Sequence, residues 1–137
     1  VLFPSKKKKK AYFSSMLLKT IPYPFGEAKY YPSFIHVKFR EDLDDVKLEY
    51  SKQVFKDIEA FYDGAKYVVI SERGLNTSFN PINMKSLNLS KMQGLAVVSP
   101  EGTVRRDELI IEQGYYKGSF AFFTTYKAAE EWALTFE

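Results

Sequence analysis

Cysteine is absent from this 137-residue chain, and histidine occurs once, as His36. Without cysteine there is no disulfide, no thiolate metal site and no cysteine nucleophile, and such usage fits a reducing cytoplasm. One imidazole cannot build a histidine-based metal cluster, so carboxylates alone would have to hold a metal. No cofactor is implied. No apolar run approaches the roughly 20 residues that span a bilayer. The seven glycines stand singly. Neither G-x-x-x-x-G-K-[ST] nor G-x-G-x-x-G occurs, and no G-x-S-x-G elbow marks a hydrolase serine.

Aromatic residues are plentiful: twelve Phe, ten Tyr and one Trp make up 17% of the chain. Large rings give a small domain much apolar area to bury. The same rings could line a hollow for an apolar ligand, and sequence cannot separate a filled interior from an empty one. At this length, with 45% hydrophobic and 27% charged residues, the composition is that of one ordinary globular domain.

The formal charge of +3 comes from one short stretch. Residues 1–15, VLFPSKKKKKAYFSS, hold five lysines and no acid; the remainder has 15 basic and 17 acidic residues, a net of −2. A nucleic-acid interface therefore has no support outside Lys6–Lys10, and none is expected. The stretch reads as a disordered basic tail, or as a leader upstream of a true start at Met16. Residues 16–137 then form a single domain, with no internal repeat and no linker.

Periodicity lays out the elements. LLKTIPYPF (17–25) is apolar but interrupted by Pro22 and Pro24, which suits an edge or an extended lead-in. GEAKYY (26–31) and SFIHVKFR (33–40) predict an antiparallel pair turning at Pro32–Ser33. In the second strand Ile35, Val37 and Phe39 take one face, and His36, Lys38 and Arg40 take the wetter one. From Asp44 to Tyr62 the period becomes helical, with Val46, Tyr50, Val54, Ile58 and Tyr62 in one stripe. Asp44 or Asp45 is the expected cap and Gly64 the expected stop. YVVIS (67–71), GLAVVS (94–99) and SFAFFT (119–124) are continuously apolar, as strands buried on both faces are. Each leads to a helix: a short one after Asn80-Pro81, one from about Thr103 to Tyr116, and one over 126–136 capped by Thr125. Right-handed helical crossovers make these strands parallel. The fold class is α/β: a small mixed sheet of about five strands, an antiparallel hairpin then parallel strands, with about four helices. A strand near 26–40 would be the exposed edge, through which a monomer could become a homodimer.

Candidate chemistry is sparse. His36 sits mid-strand beside two cations, and the adjacent acids Asp44–Asp45 and Glu130–Glu131 fall on helix surfaces or caps. Ligands of parallel α/β sheets gather outside the carboxyl ends of the strands, near helix N-termini. That edge comprises SERGLNTSFN (71–80), SPEGT (99–103) and Thr124–Thr125. The candidate site residues for a ligand or partner are Arg73, Asn76, Thr77, Ser78 and Asn80, with Arg105 or Arg106 as further anion donors. The plainer reading is that Asn80 caps a helix starting at Pro81 and that Thr77 and Ser78 satisfy loop backbone groups.

The element order, the YVVISERGLNTSFNP stretch, the GLAVVS strand and the ending FAFFTTYKAAEEWA resemble bacterial SpoIIAA-like proteins of the STAS/Sec14-like superfamily, over about residues 20–137. The resemblance implies a non-enzymatic domain working by protein–protein contact or regulatory switching. Its Sec14-like branch implies a carrier of small apolar or lipid-like molecules instead. In the sporulation antagonists a serine in an Asp-Ser-Ser-Gly-Leu turn is phosphorylated. Thr77 and Ser78 lie in the comparable place, but Asn76 replaces the aspartate and Phe79 the glycine. A carrier would need an apolar cavity of at least ~300 Å³. Tyr50, Phe55, Phe61, Tyr115, Tyr116, Phe120 and Phe122 are the rings available to line it.

Overall fold

The computed structural model describes residues 13–100 and 106–137. The lysine run, Arg105 and the expected helix start near Thr103 lie outside the described residues. The chain runs β1 (Lys19–Tyr23), β2 (Gly26–Tyr30), β3 (Phe34–Phe39), β4 (Asp45–Val46), α1 (Leu48–Tyr62), β5 (Tyr67–Glu72), β6 (Ser78–Phe79), a 3₁₀ helix (Pro81–Ser86), β7 (Met92–Val98), α2 (Arg106–Tyr115), β8 (Ser119–Phe123) and α3 (Tyr126–Leu134). Six strands form one mixed sheet in the order β1-β2-β3-β5-β7-β8. β1, β2 and β3 are antiparallel, and β3, β5, β7 and β8 are parallel. The α/β class and the hairpin-then-parallel plan are as expected.

The sheet is one strand wider than the sequence indicates, because the proline-bearing lead-in pairs. Pro22 sits on β1, whose outer side has no partner strand among the described residues, so its missing N–H breaks no ladder there. β2 and β3 are therefore interior, and the expected edge at 26–40 moves to β1. The other edge is β8. Its residues are half-buried or, at Ser119, exposed, contrary to the expectation of burial on both faces, because no strand lies beyond it in the described sheet; Tyr67–Ser71 of β5 and the second half of β7 are buried throughout.

The two faces bury different partners. Ile35, Val37, Phe39, Val69 and Leu95 pack beneath Val54, Ile58 and Tyr62 of α1. Phe34, Val68, Ile70, Ala96 and Val98 pack against Ala129 and Ala133 of α3, whose small side chains let the helix lie close. The Tyr62 hydroxyl lies 2.5 Å from the Tyr31 carbonyl and 2.9 Å from that of Phe34, tying the end of α1 to the β2–β3 turn. Burial pushes the Tyr30, Tyr67 and Tyr116 phenols up to about 12.

Helix ends follow local chemistry with two exceptions. Asn80 accepts from the Ile82 N–H, with Pro81 as first helical residue, and Thr125 accepts from the Ala128 N–H. α1 instead begins at Lys47, with no side-chain cap. Asp45 is drawn away into β4, which pairs in parallel with β6, and the carbonyl of Asp44 accepts from the Ser78 N–H. At its other end Asp63, not Gly64, takes the first left-handed position, at φ 47°, with Gly64 following at 91°. His36 also departs from expectation. It is buried, stacked on Tyr126 of α3 at 4.1 Å, because α3 covers the face that alternation alone marks as wetter.

At Gly26 a Cβ would stand 2.3 Å from the Lys38 carbonyl oxygen, where β2 presses on the β3 backbone. Gly26→Ala is expected to destabilise the fold by about 2 kcal/mol or more, read as a lower urea midpoint with an unchanged slope.

Candidate functional site

The carboxyl ends of β3, β5 and β7 meet at the loop following Glu72, and the loop is pinned from several sides. Arg73 leaves β5 and turns inward. Its Nη1 donates to Glu112 Oε1 at 2.7 Å, its Nη2 to Glu112 Oε2 at 3.1 Å, and its Nε to Ser71 Oγ at 3.1 Å. The guanidinium also lies 4.5 Å from the centre of the Phe79 ring. Glu112 is 2% exposed, so a bidentate ion pair inside the protein joins the loop to α2. Gly74 follows, where a Cβ would meet the Glu41 carbonyl oxygen at 2.6 Å, so the backbones of two loops touch.

Thr77 is fully buried and its Oγ1 donates to the Leu43 carbonyl at 2.7 Å. Ser78 is exposed. Its Oγ lies 3.1 Å from the Asp44 carbonyl and 2.9 Å from Asp45 Oδ1. Asn76 points to solvent, and Asn80 is used as the cap of the 3₁₀ helix. The expected site residues are thus neighbours in one loop, but they do not converge on a ligand. Arg73 is committed to Glu112, Thr77 to the loop backbone and Asn80 to a helix end. A phosphate on Ser78 would stand beside the Asp45 carboxylate and be repelled by it. Arg106 lies at the first position of α2.

Three features of this edge are not evident from the candidate residues. Glu112 is one; its place three residues after Leu109 and four before Tyr116, on the inward stripe of α2, is the signal that marks it. Leu75 is another, a large apolar side chain left 48% exposed at the loop tip. The third is a groove of about 310 Å³ beside Leu75, lined by Lys38, Glu41, Glu72, Asn76 and Pro100 among others. Glu72, one of its lining residues, has Oε1 2.8 Å from His36 Nε2, which lies buried behind it, and Oε2 3.9 Å from Lys38 Nζ. The hydrogen bond with His36 outweighs partial burial and holds the Glu72 carboxyl below its ordinary pKa, with the charges of His36 and Lys38 adding to it.

The apolar space between the sheet and α1 is small. It measures about 50 Å³, among Val37, Val69, Phe55, Met84 and Leu95. Of the rings named above as a possible lining, Phe55 alone borders it, and Tyr115 is exposed on the surface. Among the described residues no three His, Cys, Asp or Glu side chains are grouped to hold a metal, and no helix is long and apolar enough to cross a membrane. Compared with known protein families, curated proteins and solved structures, the chain matches none.

Removing one side of the buried pair strands the other. Glu112→Ala is expected to cost about 3–5 kcal/mol, and Arg73→Met with Glu112→Leu together much less than the sum of the single changes, by chemical denaturation. Glu72 gives a pH dependence. Its folded pKa lies below its unfolded value, so its contribution is complete above about 4.3 and fades as pH falls through the folded value. Glu72→Gln should lower the neutral plateau of the stability–pH profile and flatten its acid limb.

Proposed function

We propose that this is a non-enzymatic SpoIIAA/STAS-like domain that works in the cytoplasm by binding another protein through the 71–80 loop. The observation that carries the reading is the contrast within that loop. Its backbone and polar side chains are held by bonds to Glu112, Leu43, Asp44 and Asp45. Leu75 and Asn76 are nonetheless presented outward at its tip. A loop fixed in advance loses little conformational freedom on association, which is how a few side chains become strong anchors. The groove beside Leu75 is of a size to receive a partner's side chain or a short turn of its backbone.

Catalysis has less support. The loop's cation is neutralised by Glu112, and His36 is packed under Tyr126. The carrier reading has less support too, because about 50 Å³ of apolar space between the sheet and α1 is far below what a fatty acid occupies. The absence of cysteine suits the reducing compartment proposed.

Leu75→Asp is expected to abolish capture of a specific protein from a lysate of the source cell, with melting temperature unchanged. A control substitution on β1, Lys19→Ala, should retain it. Identical captured proteins across wild type, Leu75→Asp and the control would overturn the proposal. So would native mass spectrometry showing a stoichiometric lipid adduct, which would move the function to the carrier class.

A further inference from the structure

The helix α2 carries apolar side chains outward as well as inward. Leu109, Glu112 and Tyr116 face the protein, and the Tyr116 hydroxyl donates to the Met92 carbonyl at 2.7 Å. On the far side, Asp107, Ile110, Ile111 and Gly114 fall at i, i+3, i+4 and i+7, the spacing of a single packing face. Ile110 is 56% and Ile111 55% exposed, and Tyr115 is exposed beside them. A solvated face would hold charge there.

Gly114 adds an independent oddity. It lies near the end of a ten-residue helix, takes no positive φ, and a Cβ built on it meets nothing within 4 Å. Glycine at such a site costs up to about 1 kcal/mol relative to alanine. Nothing within the described molecule requires it. A glycine on an outward face lets a second backbone come close.

We infer that α2 is a self-association surface, at which two copies of this chain pack their α2 helices antiparallel about a two-fold axis between Ile110 and Ile111. The two isoleucines are the central pair of the outward face that runs from Asp107 to Gly114, so the axis sets Ile110 of each copy against Ile111 of the other. Asp107 of each copy then lies over Gly114 of its mate. That places its carboxylate at the end of the helix where Lys117 is exposed and where Lys85 Nζ sits 5.2 Å above the Tyr115 ring. Acid meets base twice, as an isologous contact requires. The antiparallel helix dipoles also align favourably. Two ten-residue helices bury well under ~800 Å² per partner, so the dimer is weak and concentration-dependent, with a dissociation constant on the order of 10–1,000 µM. This surface is separate from the 71–80 loop and does not depend on its function.

Sedimentation equilibrium from ~1 µM to ~1 mM tests it across the expected dissociation range. Wild type should pass from monomer to dimer. The double variant Ile110→Asp, Ile111→Asp should stay monomeric with an unchanged circular dichroism spectrum and melting temperature, since both positions are exposed. Leu75→Asp should dimerise like wild type. The cysteine-free background gives a second readout. Ile110→Cys, adjacent to the axis, should form a disulfide-linked dimer under mild copper-phenanthroline oxidation, and the reaction should outpace that of Asp107→Cys. In the latter the two sulfurs would be centred about 10 Å apart along the helices. A wild type monomeric at ~1 mM, or an aspartate variant that associates as wild type does, would overturn the inference. Equal cross-linking of both cysteine variants would overturn the antiparallel register.

Discussion

A carboxylate taken out of water must be met by a donor that matches its shape, and Glu112 is met by Arg73 with both oxygens used. Much of the carboxyl edge depends on this pairing. Among the described residues α2 has a short inward stripe, Leu109 and Glu112 with Tyr116 just past its end, and so little apolar area with which to hold its place. The ion pair supplies the registration that a larger apolar face would otherwise give. In the other direction, Arg73 is drawn inward at the first residue after β5. The chain beyond it must then turn sharply past Glu41, at Gly74, before Thr77 and Ser78 reach the β4 segment. The loop has its shape because its first side chain is buried.

That shape separates scaffold from surface over a few residues. Buried hydroxyl and guanidinium groups are spent on the interior, and what remains outward is Leu75 and Asn76 at the tip. The second outward apolar group, on α2, lies on an element that the same ion pair orients. Both surfaces therefore rest on one internal contact. A change at Arg73 would disturb recognition without Arg73 touching a partner, and only a stability measurement alongside would reveal the cause.

Local chemistry was legible in the sequence, and long-range pairing was not. The Asn80-Pro81 and Thr125 helix starts involve atoms two or three residues apart, and composition names them. The strands at 67–71 and 94–99 show themselves by continuous apolar runs, because both their faces are covered. Alternation puts His36 on the correct side of its strand but marks that side as wet. Alternation records which residues share a face, and says nothing of a helix that arrives from the far end of the chain to cover it. Arg73 read as a free cation for the same reason: Glu112, its partner, is 39 residues away. The aspartates at 44 and 45 look like caps to any local rule, and only the tertiary pairing of β4 with β6 overrides it.

The order of strands across the sheet is also their order along the chain. A polypeptide leaving the ribosome could therefore lay each strand against a neighbour already made, with no gap held open for a later insertion. Loop closures stay short at every step, which keeps the search for each pairing brief. α3 is the exception, since it crosses β5, β7 and β8 and has no complete floor until the last strand is in place. Until then Phe34, Val68 and Ile70 face water. That face of the nascent sheet would stay unclad until α3 emerges, and the docking of that helix would be the event that seals it.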